Sequence, residues 1–305
     1  MKPTVPAFLR LAALVAALTL IALPRAASAQ VDIAGEWGAL NGVSEDQPHR
    51  VPGADLGDYT GLPINDAARL KARSWDASVL SQPERQAQPH PAMYSYRGGG
   101  GPNLRIEKVV DPATGALIAF TFTGYFGRAD RTVWMDGRPH PSDYAEHTWE
   151  GFSTGEWVGS ALKVTTTHMK QGVIQRNGVP ASAYCTMVEY WTRHGNHLGN
   201  FTWIDDPIFL EEPMVRTTDW IWAPQQHVGV PQPFDTVDEL GDRPLGWVPS
   251  YPIGTMHDGF AKQFNLPFEA TQGGSATLYP EYQKRIRALQ QQQAPPAAPA
   301  GGARR

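Results

Sequence analysis

The chain of 305 residues has a single cysteine, Cys185. No internal disulfide is open to it, so the fold must rest on packing and hydrogen bonds. A thiol nucleophile needs a base and an electropositive setting, and the surrounding "AYCTMVEY" supplies neither. Cys185 therefore reads as a small buried hydrophobe within a strand. Positive charge is also scarce, with 26 Lys and Arg against 30 Asp and Glu. That balance argues against nucleic acid, whose phosphates need a basic face. Beyond residue 29 no apolar run approaches the about 20 residues of a membrane-spanning helix. Metal-ligand spacings of the HxH or HExxH type are missing, and no metal or other cofactor is expected. The glycines at 98–101 lack the Lys-Ser/Thr ending and the following helix of a phosphate loop. Neither "FSTG" nor "GGSAT" has the strand–elbow–helix setting of a nucleophilic serine.

What is present begins with the first 29 residues. Lys2 and Arg10 precede an apolar run at 11–23, followed by Ala27-Ser28-Ala29. A positive start, a short apolar core and an A-x-A site are the parts of a secretory signal peptide. Cleavage after Ala29 leaves Gln30 as the first residue and a periplasmic or secreted product. It also removes three of the 26 bases, leaving 23 against 30 acids, a formal charge of −7.

Residues 30–289 are read as one β-rich domain. "NDAARLKARSWDASVL" at 65–80 is a candidate helix capped by Asn65 or Asp66. From 104 to 223 the pattern is of strands: "LRIEKVV", "ALIAFTFTGYF", "RTVWM", "HTWEGFSTGEWVG", "ALKVTTTH", "AYCTMVEYWTR", "LGNFTWIDD" and "MVRTTDWIWA". Short turns separate most of them, and Asp136-Gly137 is a hairpin signal. Such spacing predicts an antiparallel meander closing into a lipocalin-like barrel, or else a β-sandwich. A Pro/Gly-rich wrap follows at 224–289, then a low-complexity, disordered tail at 290–305.

The motifs "RTVWMDGRPHP", "HTWEGFSTGEWVGSALKVTTTH", "RNGVP", "VEYWTRHG" and "DDPIFLEEP" resemble an uncharacterised family of exported proteins of Gram-negative bacteria. The likeness extends from "LPINDAARLKARSW" to "GGSATLYPEY" and covers most of the mature chain. It implies export and a β-rich fold, and carries over no reaction.

Strand alternation then singles out ionisable residues, because i and i+2 share a face. His168 falls with Leu162, Val164 and Thr166; Glu189 with Cys185, Met187 and Trp191; Asp205 with Phe201 and Trp203. A charge on an apolar face needs a partner or a shifted pKa. If those faces line a barrel, a histidine and a desolvated carboxylate make an acid–base pair. The plainer reading places these residues at strand ends or gives them backbone partners. "DGRPHPSDYAEHTWEG" at 136–151 adds Arg138 and His140 on a proline-stiffened loop suited to a barrel mouth. His140 and His147 with Asp143 between them invite a metal reading, but their spacing lacks a ligand motif.

Two functions follow. One is binding of a small apolar or aromatic molecule in a barrel cavity. Trp134, Trp149, Trp157, Trp191 and Trp203 would form its walls, with Arg138, His140, Glu189 and Asp205 as polar contacts. The alternative is an enzyme on the same scaffold, with His140, His168 and Glu189 as its acid–base groups. The oligomeric state is not legible in the sequence. Intact-mass measurement of protein exported by a bacterial host is expected to give a chain starting at Gln30. A mass that retains residues 1–29 contradicts the leader.

Overall fold

The computed structural model describes residues 31–39, 56–76, 88–94, 102–124, 130–175, 177–225, 242–244 and 247–293. The expected leader, the tail beyond 293 and the end of the expected helix at 77–80 lie outside the described residues.

Nine strands close into a barrel. They are β1 (Gly35–Ala39), β2 (Pro102–Val110), β3 (Leu117–Gly124), β4 (Arg131–Trp134), β5 (Phe152–Val158), β6 (Ala161–Thr167), β9 (Thr186–His194), β10 (His197–Asp205) and β11 (Met214–Trp222). Around the barrel they run β1-β11-β10-β9-β6-β5-β4-β3-β2. Between β6 and β9 the chain leaves the barrel for a small two-stranded sheet, β7 (Gly172–Val173) with β8 (Pro180–Ala181). The barrel and its mostly antiparallel order agree with the sequence pattern. Closure leaves no facing pair of sheets, so the sandwich alternative is set aside.

One junction departs from the expected meander. Asp136-Gly137 makes a turn but no hairpin, because β4 and β5 pair parallel, with Val133 opposite Ser153 and Trp134 opposite Thr154. Parallel neighbours need a crossover of about a dozen residues or more. Residues 135–151 supply it, passing over the outer face of β5 and β6. The loop re-enters the barrel at Gly151, whose φ is +71°. A Cβ there would lie 2.6 Å from the Thr167 carbonyl oxygen, so glycine is required on both counts.

The helix α1 spans Asp66–Ala72, shorter than the expected 65–80. The Asn65 side chain accepts from the Ala68 N–H and caps it. Trp75 lies beyond the helix and bridges to Ser250. Two further helices, α2 (Gly259–Gln263) and α3 (Pro280–Gln293), belong to the C-terminal wrap. α3 carries the chain four residues into the segment expected to be disordered.

The interior is layered. One half is filled by Trp37, Trp191, Trp220, Phe120, Phe122 and the aliphatic residues around them, with Trp191 stacked on Trp220 at 5.4 Å. At the other end Tyr59, Ile64, Met93, Ile174 and Val179, from segments outside the barrel, pack on Met187, Ile204 and Met214. This plug is tied down by Asp206, fully buried, which accepts from the Ser182 N–H and hydroxyl and from the Ile208 and Phe209 N–H groups. Between the two apolar layers runs a belt of inward polar side chains. Trp191→Ala should cost about 3–5 kcal/mol in denaturant unfolding, from lost burial and the cavity left behind. A loss under about 1 kcal/mol contradicts a packed interior.

Candidate functional site

The polar belt centres on Glu189, the mid-strand carboxylate of β9. It is fully buried and its Oε2 accepts from Arg131 Nη1 at 2.6 Å, with Arg131 itself only 2% exposed. Arg131 also donates to the Thr166 hydroxyl at 3.1 Å, and Thr166 contacts the Ser153 hydroxyl at 2.8 Å. Asn200 donates to Glu189 Oε1 at 3.4 Å, and Thr202 donates in turn to Asn200. Arg131 lies over the Phe122 ring at 5.3 Å. Two buried charges thus neutralise each other, with the Thr166 hydroxyl and the Asn200 amide beside them. Glu189 sits on the interior face that alternation predicts. Its partner, the Arg131 that opens "RTVWM", has no signal of its own in the sequence.

The expected histidine–Glu189 pair does not form. His168 leaves the strand with φ +57°, which breaks the alternation and turns it away from Leu162, Val164 and Thr166. Its Nε2 reaches the Ser142 carbonyl at 2.9 Å and its Nδ1 the Thr167 hydroxyl at 2.8 Å. His140 lies on the same outer face, with Nδ1 on Thr167 Oγ1 and Nε2 on Thr154 Oγ1, both at 2.8 Å. Burial first, and the neighbouring His168 second, hold its imidazole below the ordinary 6.5. His147 contacts the Met169 carbonyl through Nδ1 at 3.0 Å, its ring 5.2 Å from that of His168. Glu189 and the histidines therefore stand on opposite sides of the barrel wall. Among the described residues no group of three or more His, Cys, Asp and Glu is placed to hold a metal.

The other expected site residues scatter. Asp205 points outward and is exposed, with Phe201 and Trp203, while Leu198, Asn200, Thr202 and Ile204 face inward. Both faces of β10 carry two large apolar residues, so alternation alone could not choose between them. Trp157 and Trp191 face the interior. Trp134 lies outside beneath Arg138, whose guanidinium is 3.5 Å from its ring and also binds Asp136. That hydrogen-bonded cation holds the Asp136 carboxyl below its usual range. The letters Gly151-Phe152-Ser153-Thr154-Gly155 do match G-x-S-x-G, yet Ser153 lies within β5, faces inward and is 1% exposed. It stands on no elbow. Cys185 is buried, and burial raises its thiol pKa, away from a reactive thiolate.

Trp149 leads to a different place. It lines a cleft of about 350 Å³ outside the barrel strands, beside the plug. Five separate segments form its walls: Lys71 at the end of α1 with Ser74, Trp75 and Asp76 just after it; Gln88 to Pro91; Trp149; Gln171 to Val173 with Gly178 and Pro180; and Val248, Pro249 and Ser250 of the wrap. Close backbone approaches hold these walls. A Cβ at Gly178, whose φ is +84°, would fall 2.2 Å from the Trp75 Cβ. Ala92 N–H donates to the Trp149 carbonyl, and Tyr251 N–H to that of Ser74, both at 3.0 Å. The buried Nε1 of Trp75 has no hydrogen-bond partner among the described residues.

No protein-family model, curated protein or solved structure matches the chain.

The belt has a direct test in stability. Arg131→Met or Glu189→Leu alone strands a buried charge and should cost about 3–5 kcal/mol in denaturant unfolding. The double variant should recover most of that loss. Additive losses would show that the two side chains act independently.

Proposed function

We propose that the chain is an exported binding protein that holds a small, largely apolar or aromatic molecule in the cleft between Trp75 and Trp149. The observation that carries this reading is the composition of the cleft. Two tryptophans and four prolines (Pro89, Pro91, Pro180 and Pro249) surround about 350 Å³, with a few polar groups among them. Ligand sites are mostly apolar concavities of about 300–1,000 Å³ with a small number of placed polar groups. Proline walls and the Gly178–Trp75 contact fix the shape before binding, which lowers the ordering cost. Lys71, Asp76 and Gln88 offer charge and hydrogen bonds. The barrel is the scaffold in this reading, since its own tryptophans occupy the interior half first expected to hold the ligand.

The probe 8-anilinonaphthalene-1-sulfonate, an apolar aromatic anion, should bind with a fluorescence gain. Trp149→Ala should weaken that binding about tenfold or more, equivalent to about 1.4 kcal/mol, while the melting temperature of the barrel stays unchanged. Equal affinity in the variant contradicts the cleft as the site. Native mass spectrometry of protein recovered from its own compartment should show a retained molecule of a size that fits the cleft.

A further inference from the structure

The crossover loop is fastened to the barrel by hydrogen bonds whose direction the acceptors dictate. The Ser142 carbonyl can only accept, so His168 Nε2 carries a proton and donates. In neutral His168 the Nδ1 is then an acceptor and takes the Thr167 hydroxyl proton. Thr167, having given its one hydrogen, accepts from His140 Nδ1–H. The Nε2 of neutral His140 must in turn accept from Thr154. The chain therefore runs Thr154 → His140 → Thr167 → His168 → Ser142, every donor used once. His147 adds Nδ1–H to the Met169 carbonyl beside it.

The network takes up one proton without losing a bond and cannot take up two in the same way. With one proton added the hydroxyls turn and the chain reverses: His168 Nδ1–H donates to Thr167, Thr167 to His140 Nδ1, and His140 Nε2–H to Thr154. With both rings charged, His140 Nδ1–H and His168 Nδ1–H both point at the Thr167 oxygen, and the Thr167 hydroxyl hydrogen is left without its acceptor. Protonation of two rings sets like charges across one hydroxyl oxygen, a repulsion that partial burial strengthens. The surrounding charges give little relief. Asp136 holds Arg138, Glu156 holds Lys163, and Lys170 lies over the Trp149 ring. Among the described residues neither Asp143, Glu146 nor Glu150 hydrogen-bonds any of the three imidazoles.

The same fastening positions the cleft wall. Thr148, between His147 and Trp149, donates its N–H to the His168 carbonyl at 3.0 Å and accepts from Lys170 N–H at 2.8 Å. His168 holds a left-handed backbone, an unusual conformation for this residue, kept here with both ring nitrogens engaged.

Resting on the reading of the cleft as a ligand site, we propose that His140 and His168, joined through Thr167, form a pH-operated clasp. The loop and Trp149 are held in place while at most one ring is charged, and acid, by charging both, loosens the wall and releases the ligand. The sign follows from linkage. A histidine held below its ordinary 6.5 binds protons less readily in the fastened state, so the fastening is complete above about 6.5 and weakens as pH falls below it.

The test uses the full mature chain at about pH 7.5 and about pH 5, alongside the double variant His140→Asn, His168→Asn. Asparagine tolerates the left-handed backbone at 168 and never gains charge. Amide exchange, corrected for intrinsic rates, reads the protection of Thr148 and Ala92. Affinity for 8-anilinonaphthalene-1-sulfonate, whose sulfonate stays ionised, reads the cleft. In the native chain both protection and affinity should fall about tenfold or more on acidification, with the amides of β9 and β10 still protected, and the variant should show neither change. Three results overturn the clasp. They are protection unchanged by acid, protection lost from the barrel amides as well, and the same pH response in the variant, which would assign it to His90 of the cleft or another group. Affinity present at neutral pH and unaltered by acid removes the regulation and leaves the cleft site standing. Absence of binding at both values removes the cleft site itself.

Discussion

The parallel pairing of β4 with β5 is the constraint on which the rest of the structure depends. Had the chain turned back at Asp136-Gly137, a short hairpin would have joined antiparallel neighbours. With the strands parallel, residues 135–151 must travel the length of the pair on the outside of the barrel. That excursion lays His140 on Thr154 and Thr167, brings His147 beside His168, and delivers Trp149 to the cleft. One choice of strand direction thus generates both the fastening network and a wall of the candidate site.

Inside the barrel the energetics follow a different logic. The tryptophan-rich half and the methionine-rich plug bury apolar surface, which drives collapse without fixing the register. The belt between them is demanding in a way the apolar layers are not. Glu189, Arg131, Thr166, Ser153, Asn200 and Thr202 hydrogen-bond one another only when β4, β5, β6, β9 and β10 stand in their observed register. A one-residue slip of β9 would turn Glu189 to the outside and leave Arg131 buried without it. We attribute to the belt the selection of one register from the several that a sticky, aromatic interior would tolerate.

The barrel was legible in the sequence because alternation and short turns are local signals. Glu189 was legible for the same reason, since its neighbours Met187 and Trp191 are large and its other face is less apolar. His168 was not, because a left-handed residue at a strand end breaks the period on which the inference runs. Asp205 failed through ambiguity, as Leu198 and Ile204 on one face of β10 are matched by Phe201 and Trp203 on the other. The hairpin at 136 failed because a turn motif fixes a change of direction, whereas the partner of the next strand is decided by long-range pairing. The cleft was invisible as a unit, its walls coming from five segments spread over about 180 positions (71–250). A trace existed in the prolines of "QPHPA" and in "WVPSYP", where tryptophan adjoins proline-rich irregular chain.

We read the barrel, with its buried aromatic cluster, as scaffold, and the proposed ligand site as the cleft beside it, against the crossover loop. The most direct test is a crystal structure of the protein with an aromatic probe such as 8-anilinonaphthalene-1-sulfonate at near-neutral pH. The account predicts probe density between Trp75 and Trp149, with Trp191 still stacked on Trp220 and Arg131 still bound to Glu189. Density inside the barrel, with those side chains displaced and the cleft empty, would contradict it.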